Sequence, residues 1–242
     1  MPIIQLDNVS YAYGRLFVLE HLSLAFEKNI ATALVGPSGS GKSTLLQLLN
    51  GLVRPTRGKV FVFENEIDYE RLTELRLRLG YAVQGTGLFP HLTVARNITL
   101  LAKPAKWERE RIRERLFGLM QLVNLPEAFA VRYPHELSGG QQQRVGLCRA
   151  MMLDPPVLLL DEAFGALDPI TRNEIHVEFL RLQKHEPRTI VMVTHDLREA
   201  LKLAHRIVIL NRGRIEQSGS REELLRSPAT EFVQAFLKAQ LE

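Results

Sequence analysis

The apolar positions fall into three textures along the chain. Residues 3–35 alternate in short runs that predict strands at Ile3–Val9, Val18–Phe26 and Ile30–Val35, with a turn at Tyr13–Gly14. After Val35 the spacing lengthens: Leu45, Leu46, Leu48 and Leu49 repeat as on a helix that ends near Gly51. From about Pro90 to Asp154 helical spacing dominates. Trp107–Gln121 sets Ile112, Leu116 and Leu119 among Glu108, Glu110, Arg111 and Arg113, the pattern of a helix with one solvated, charged face. Ser138 reads as the N-cap of a helix on which Val145, Cys148 and Met152 share a face, and Asp154-Pro155-Pro156 stops it.

The third texture is of compact, wholly apolar runs. Val157–Leu160 and Ile190–Val193, separated by a helical stretch at Ile170–Lys184, read as buried parallel strands joined by a crossover helix. A helix at Leu197–Ala204, a strand at Ile207–Leu210 and a turn at Asn211–Gly213 follow. Ser220 and Glu223 form a capping box, and Ser227-Pro228 opens a last short amphipathic helix. The pattern predicts a single α/β domain over 1–242. Its core spans 1–88 and 155–220, a helical subdomain is inserted at 89–154, and a short helical tail covers 221–242.

Composition narrows the class only modestly. The chain has 242 residues, 45% hydrophobic and 24% charged, enough to bury a core without staples. One cysteine excludes an internal disulfide framework. The net charge of +4 is compatible with anionic ligands or a lipid surface and diagnostic of neither. No run reaches the ~18–20 apolar residues of a membrane span, and the N-terminus lacks a signal peptide's basic start and apolar stretch. A cytosolic location is expected.

The chemistry begins where the Ile30–Val35 strand stops. Gly36-Pro37-Ser38-Gly39-Ser40-Gly41-Lys42-Ser43-Thr44 matches the Walker A phosphate loop, in strand–loop–helix context. Such a loop needs glycines so that backbone N–H groups can wrap phosphate oxygens. Lys42 would reach the β/γ-phosphates, the Ser43 hydroxyl would join a Mg²⁺ shell, and the helix start would add its partial positive charge. The loop predicts binding of a nucleoside triphosphate. Val157–Leu160 followed by Asp161 and Glu162 fits the Walker B role, Asp161 orienting Mg²⁺ and Glu162 placed beside it to polarise a water.

Leu137-Ser138-Gly139-Gly140-Gln141 then identifies the chain as similar to the ATP-binding cassette subunits of ABC transporters over essentially its whole length. The resemblance implies a P-loop NTPase core of RecA-like type, with an N-terminal antiparallel β subdomain and the inserted helical subdomain. It also implies roles for further residues. Tyr13 would stack on adenine. Gln84 would sense Mg²⁺ and the γ-phosphate. Ser138, Gly139, Gly140 and Gln141 would meet ATP bound to a second copy of the chain. Asp168 would act across that dimer, and His195 would contact the γ-phosphate. Implied cofactors are ATP and Mg²⁺. The implied partners are a second cassette, an integral membrane permease and a substrate-binding protein, on the cytoplasmic face of a bacterial inner membrane. The other six histidines show no metal-ligand spacing.

A narrower likeness is carried by Gln84 with Gly87-Leu88-Phe89-Pro90-His91, and by Phe164-Gly165-Ala166-Leu167-Asp168-Pro169-Ile170-Thr171-Arg172, with Trp107 and Tyr133-Pro134. These resemble cassettes of importers for glycine betaine, choline and related osmoprotectants. Ala163 departs from that pattern, which usually has proline there, and many such cassettes continue into regulatory CBS domains beyond the point matching Glu242, so gating by that route is not expected. Rival readings are an ABC ATPase of lipid trafficking or cell division, and a soluble one of DNA repair or translation. The latter would bring zinc modules, long coiled coils or a second cassette. One Walker A, one signature and one cysteine speak against it, so no nucleic acid is expected as partner.

Overall fold

A computed structural model describes residues 2–85 and 87–241. They form two compact units, one comprising the chain through Leu75 and again from Arg188, the other Arg76–Pro187. The first unit opens with β1 (Pro2–Tyr13), β2 (Leu16–Glu27), β3 (Ala31–Val35), α1 (Lys42–Leu49), β4 (Arg57–Val62) and β5 (Asn65–Glu66). A short helix, α2 (Leu72–Leu77), carries the chain past Leu75. The second unit holds β6 (Leu79–Ala82), α3 (Val94–Ile98), α4 (Arg109–Leu122), α5 (Gly139–Met151), β7 (Val157–Asp161) and α6 (Pro169–His185). The chain returns to the first unit with β8 (Thr189–Val193), α7 (Leu197–Leu203), β9 (Arg206–Asn211), β10 (Arg214–Gly219), α8 (Arg221–Arg226) and α9 (Glu231–Leu241). Among the described residues no helix is long and apolar enough to cross a membrane.

Two sheet arrangements organise the first unit. β1 pairs antiparallel with β2 on one side and β4 on the other, and β5 extends β4. The strands β1 and β2 bury one side only, through Ile4, Leu6, Val9, Leu19, Leu22, Leu24 and Phe26, as half-covered antiparallel strands do. β3 instead lies between β8 and β9, parallel to both, with Ala33 opposite Met192 and Ile207. Every residue of β3 and β8 is buried. Their continuous apolar runs thus mark strands covered on both faces. β10 closes this edge antiparallel to β9.

In the second unit β6 and β7 pair in parallel, Leu79 with Val157 through Ala82 with Leu160, and α5 packs on β6 and α3. The predicted helices at Trp107–Gln121 and Ile170–Lys184 are α4 and α6. Trp107 precedes α4 and carries the Arg111 guanidinium 3.6 Å from its ring centre. α6 is capped by Asp168, whose carboxylate accepts from the Thr171 N–H at 3.0 Å. Cys148 is buried on α5, its thiol 3.3 Å from the Leu119 carbonyl, and burial pushes its ionisation well above the usual thiol range.

One residue that pattern reading overlooks organises the loop before α3. Asn97 is fully buried at 0% exposure. Its Oδ1 accepts from Phe89 N–H at 2.8 Å, and its Nδ2 donates to the carbonyls of Phe89, Leu92 and Thr93 at 3.0–3.1 Å. Four backbone groups of a loop with no ladder of its own thus end on one side chain. Asn97→Ala should lower unfolding free energy by about 2 kcal/mol, because the Phe89 N–H and the Leu92 carbonyl lose their bond to the side chain, while the Phe89 and Thr93 carbonyls keep the backbone donors Leu92 N–H and Asn97 N–H. The check is the urea midpoint at unchanged m; a shift below about 0.5 kcal/mol would mean the loop is held otherwise.

Candidate functional site

The phosphate loop lies in the first unit, between the buried end of β3 and α1. Gly36 and Gly41 both have positive φ, +149° and +99°. Neither could carry a side chain there. A Cβ on Gly36 would lie 2.0 Å from the Leu210 carbonyl oxygen of β9, and one on Gly41 would lie 2.4 Å from Leu19 of β2. Directly after Gly41, Lys42 is 8% exposed, and its ammonium donates to the carbonyls of Gly36 at 2.9 Å and Pro37 at 2.8 Å, and to Ser40 Oγ at 3.4 Å. The loop therefore curls round its own lysine, leaving Pro37, Ser38 and Gly39 exposed at its rim, with Ser43 half-buried and Thr44 buried on α1. α1 follows Gly41 with no side-chain cap, as α4 follows Glu108, whereas α3, α5, α6, α7 and α8 each start under a Thr, Ser or Asp side chain. A helix start without its own cap suits an anionic ligand.

Tyr13 and His195 belong to the same unit. Tyr13 ends β1, is exposed, meets Tyr11 edge-on at 4.9 Å and donates its hydroxyl to Gln47 Oε1 at 3.4 Å. His195 follows β8, between buried Thr194 and Asp196. Thr194 Oγ1 accepts from Asp196 N–H at 3.0 Å, and Asp196 caps α7 by accepting from the amides of Arg198 and Glu199 at 2.9 and 3.3 Å. These bonds fix the backbone on either side of the exposed imidazole.

Gln84, Asp161, Glu162, Ser138–Gln141 and Asp168 belong to the second unit. Asp161 is buried at the end of β7. Burial, and then the charge of Asp161, push the Tyr81 hydroxyl up to about 12, so that phenol stays neutral. Glu162 has φ +49°, a left-handed conformation that costs a non-glycine residue of order 1–3 kcal/mol and persists only where its surroundings hold it. Its carboxylate accepts from Gln84 Nε2 at 3.2 Å, which brings together two of the sequence-predicted residues. Its carbonyl accepts from Gly165 N–H at 3.1 Å and from Gln143 Nε2 at 2.8 Å.

The signature forms a reciprocal cap at the start of α5. Gln141 N–H donates to Ser138 Oγ at 3.3 Å, and Ser138 N–H donates to Gln141 Oε1 at 3.0 Å. Sequence reading assigned Ser138 this job but not Gln141. It also missed Gln143 and Arg149. The first is buried and grips the Glu162 turn; the second donates to the Gly87 carbonyl at 2.7 Å, tying α5 to the loop after Gln84. For Gln143 the signal was helical phase, since it precedes Leu147 and Ala150 by four and seven residues on one buried face of α5.

No group of three His, Cys, Asp or Glu side chains able to hold a metal ion occurs among the described residues. Oxygen donors of the hard kind that Mg²⁺ takes are present in each unit, the half-buried Ser43 hydroxyl in the first and the buried Asp161 carboxylate in the second.

Residues 19–165 match the ABC transporter family. The chain is 46% identical over 236 residues to the choline transport ATP-binding protein OpuBA of Bacillus subtilis, and 46% over 236 residues to that organism's glycine betaine/carnitine/choline transport ATP-binding protein OpuCA. Each match covers 97% of this chain, which spans 62% of the length of these relatives. The glycine betaine uptake system ATP-binding protein YehX of Escherichia coli is 45% identical over 234 residues, covering 97% of this chain and 76% of that protein. Among solved structures, the dimeric post-hydrolysis state of the ATP-binding cassette MJ0796 bound to ADP and Pi superposes with a TM-score of 0.83 at 33% identity, over 90% of this chain and 98% of that one. The expected P-loop α/β architecture is therefore the one found, and the chain belongs to the ABC transporter family.

Proposed function

We propose that this chain is the ATP-hydrolysing subunit of an importer, bound at the cytoplasmic face of a membrane to a separate permease. The observation that carries the reading is the glycine loop closed on Lys42 ahead of an uncapped α1. That arrangement is a cradle for phosphate. MgATP is the substrate. Gly36–Thr44 bind its phosphates, with Tyr13 against the adenine. Ser43, Asp161 and Gln84 serve the Mg²⁺, which neutralises charge on the phosphoryl oxygens. Glu162 accepts the proton of the attacking water, and His195 and Gln84 report on the γ-phosphate.

A second copy completes the site, its Ser138–Gln141 cap and Asp168 meeting nucleotide held by the first. The dimeric state of MJ0796 supports this arrangement. ATP then favours the closed dimer and hydrolysis withdraws that preference, which is what the permease would feel. The printed functions of OpuBA, OpuCA and YehX support quaternary amines such as glycine betaine and choline as cargo, delivered by a substrate-binding protein.

Replacing the ammonium should separate binding from folding. Lys42→Ala is expected to lose about 10²-fold in ATP affinity, the worth of a charge-assisted contact to phosphate. Its circular dichroism should stay near wild type, with the unfolding midpoint lowered only by the loss of the loop's own bonds to the ammonium. Equilibrium titration with a fluorescent ATP analogue reads the loss, and tight binding by the folded variant would refute the cradle.

Glu162→Gln should lower turnover by about 10²–10⁴-fold, the usual contribution of a general base, while ATP still binds. Light scattering should then find the variant dimeric in MgATP. Adding Ser138→Arg should return it to monomer, since a long side chain would block the partner's γ-phosphate. A Glu162→Gln chain that stays monomeric in saturating ATP would rule out the composite site.

For the cargo, deletion of the gene should abolish growth rescue in high salt by external glycine betaine or choline. Radiolabelled uptake measures the same loss directly. Unchanged uptake of both would remove the osmoprotectant assignment and leave the ATPase reading standing.

A further inference from the structure

Gln143 ties the signature helix to both ends of the turn carrying Glu162. It sits one turn beyond the Ser138 cap of α5 and is 7% exposed. Its amide is used at both atoms. Nε2 donates to the Glu162 carbonyl at 2.8 Å, and Oε1 accepts from the Ala166 N–H at 2.8 Å. The five residues 162–166 are thus clasped from their first carbonyl to their last amide. The approach is close because α5 has a glycine where it meets the turn: a Cβ on Gly140 would lie 3.2 Å from the Ala166 carbonyl oxygen.

The clasp matters because of where Glu162 stands. Its φ of +49° is a conformation that a glutamate leaves unless it is held. Its carboxylate is only half-buried, and its bond to Gln84 is at 3.2 Å, to a side chain that is itself exposed. The backbone at residue 162 sets where that side chain starts, and Gln143 holds that backbone. We propose that Gln143 is a positioning residue for ATP hydrolysis, keeping Glu162 aimed at the attacking water and making that aim depend on where the start of α5 lies. The proposal rests on Glu162 acting as the proton acceptor.

The test compares two substitutions in the full-length chain. Gln143→Met removes both bonds. Gln143→Glu keeps the length and the acceptor for Ala166 N–H but has no hydrogen for the Glu162 carbonyl, so it carries the test if the methionine variant fails to fold. Both are expected to lower kcat by about 10²-fold, the cost of a misplaced reacting group, with KM for MgATP unchanged. In a Glu162→Gln background, where the aimed carboxylate is gone, adding Gln143→Glu should alter the residual kcat by less than about twofold. A Gln143→Glu chain with wild-type kcat overturns the proposal, as does a rise in KM at constant kcat. A loss that persists in full in the Glu162→Gln background overturns it too, because Gln143 would then act elsewhere. Wild-type turnover by Glu162→Gln alone would instead refute the role of Glu162 itself, and the proposal with it.

Discussion

The passage from β3 into α1 leaves no space for side chains at either end, and much of the first unit is arranged to make that so. The Leu210 carbonyl of β9 presses on Gly36, and Leu19 of β2 presses on Gly41. Two strands from different sheets thus converge on a loop of six residues. The loop cannot open outward without losing the lysine that bonds its carbonyls, nor collapse inward past those strands. Its shape is therefore imposed by well-packed strands before any ligand arrives, so its backbone N–H donors are preorganised for charge, and the Lys42 ammonium has only to turn from the loop carbonyls to a phosphate. The burial of all five residues of β3 serves the same end, anchoring the loop's entry to β8 and β9.

The second unit works through polar ties instead. Three consecutive glutamines open α5, and each has a separate task. Gln141 closes the cap on Ser138. Gln142 donates to the carbonyls of Pro134 and Leu137, fastening the segment that leads into the helix. Gln143 clasps the turn after β7. Successive residues on a helix point about 100° apart, so one short polar run serves three neighbours. Arg149, two turns further on, reaches the loop after Gln84, and burial lowers the proton affinity of its guanidinium without removing its charge. The signature helix is accordingly bonded to both loops that carry catalytic candidates of this unit.

How far the sequence was readable follows from what each element depends on. The buried strands β3, β7, β8 and β9 were legible because burial on both faces demands an unbroken apolar run. The phosphate loop and the α5 cap were legible because their backbone chemistry admits few residue types. The strands β4, β5 and β10 were not foreseen. Arg57-Gly58-Lys59 opens β4 exposed, and Arg214-Ile215-Glu216-Gln217-Ser218-Gly219 shows no alternation, since these strands take their conformation from a partner's ladder and not from their own pattern. Asn97 was invisible for a related reason. A lone asparagine between Arg96 and Ile98 gives no hint that four carbonyl and amide groups of residues 89–93 converge on it. The glutamines were hidden by repetition, because composition cannot tell a cap from a clasp.

The single thiol of the chain is sealed inside α5, bonded to the Leu119 carbonyl and resistant to ionisation. A native cysteine in that state does not compete for maleimides or iodoacetamides, since only the thiolate reacts. The natural sequence is thus already a silent background for site-directed labelling. A cysteine placed at an exposed position such as Val177 or Ile170 becomes the one reactive sulfur per copy. Spin or fluorophore pairs between two copies can then be installed without first stripping the core of a residue it has packed around.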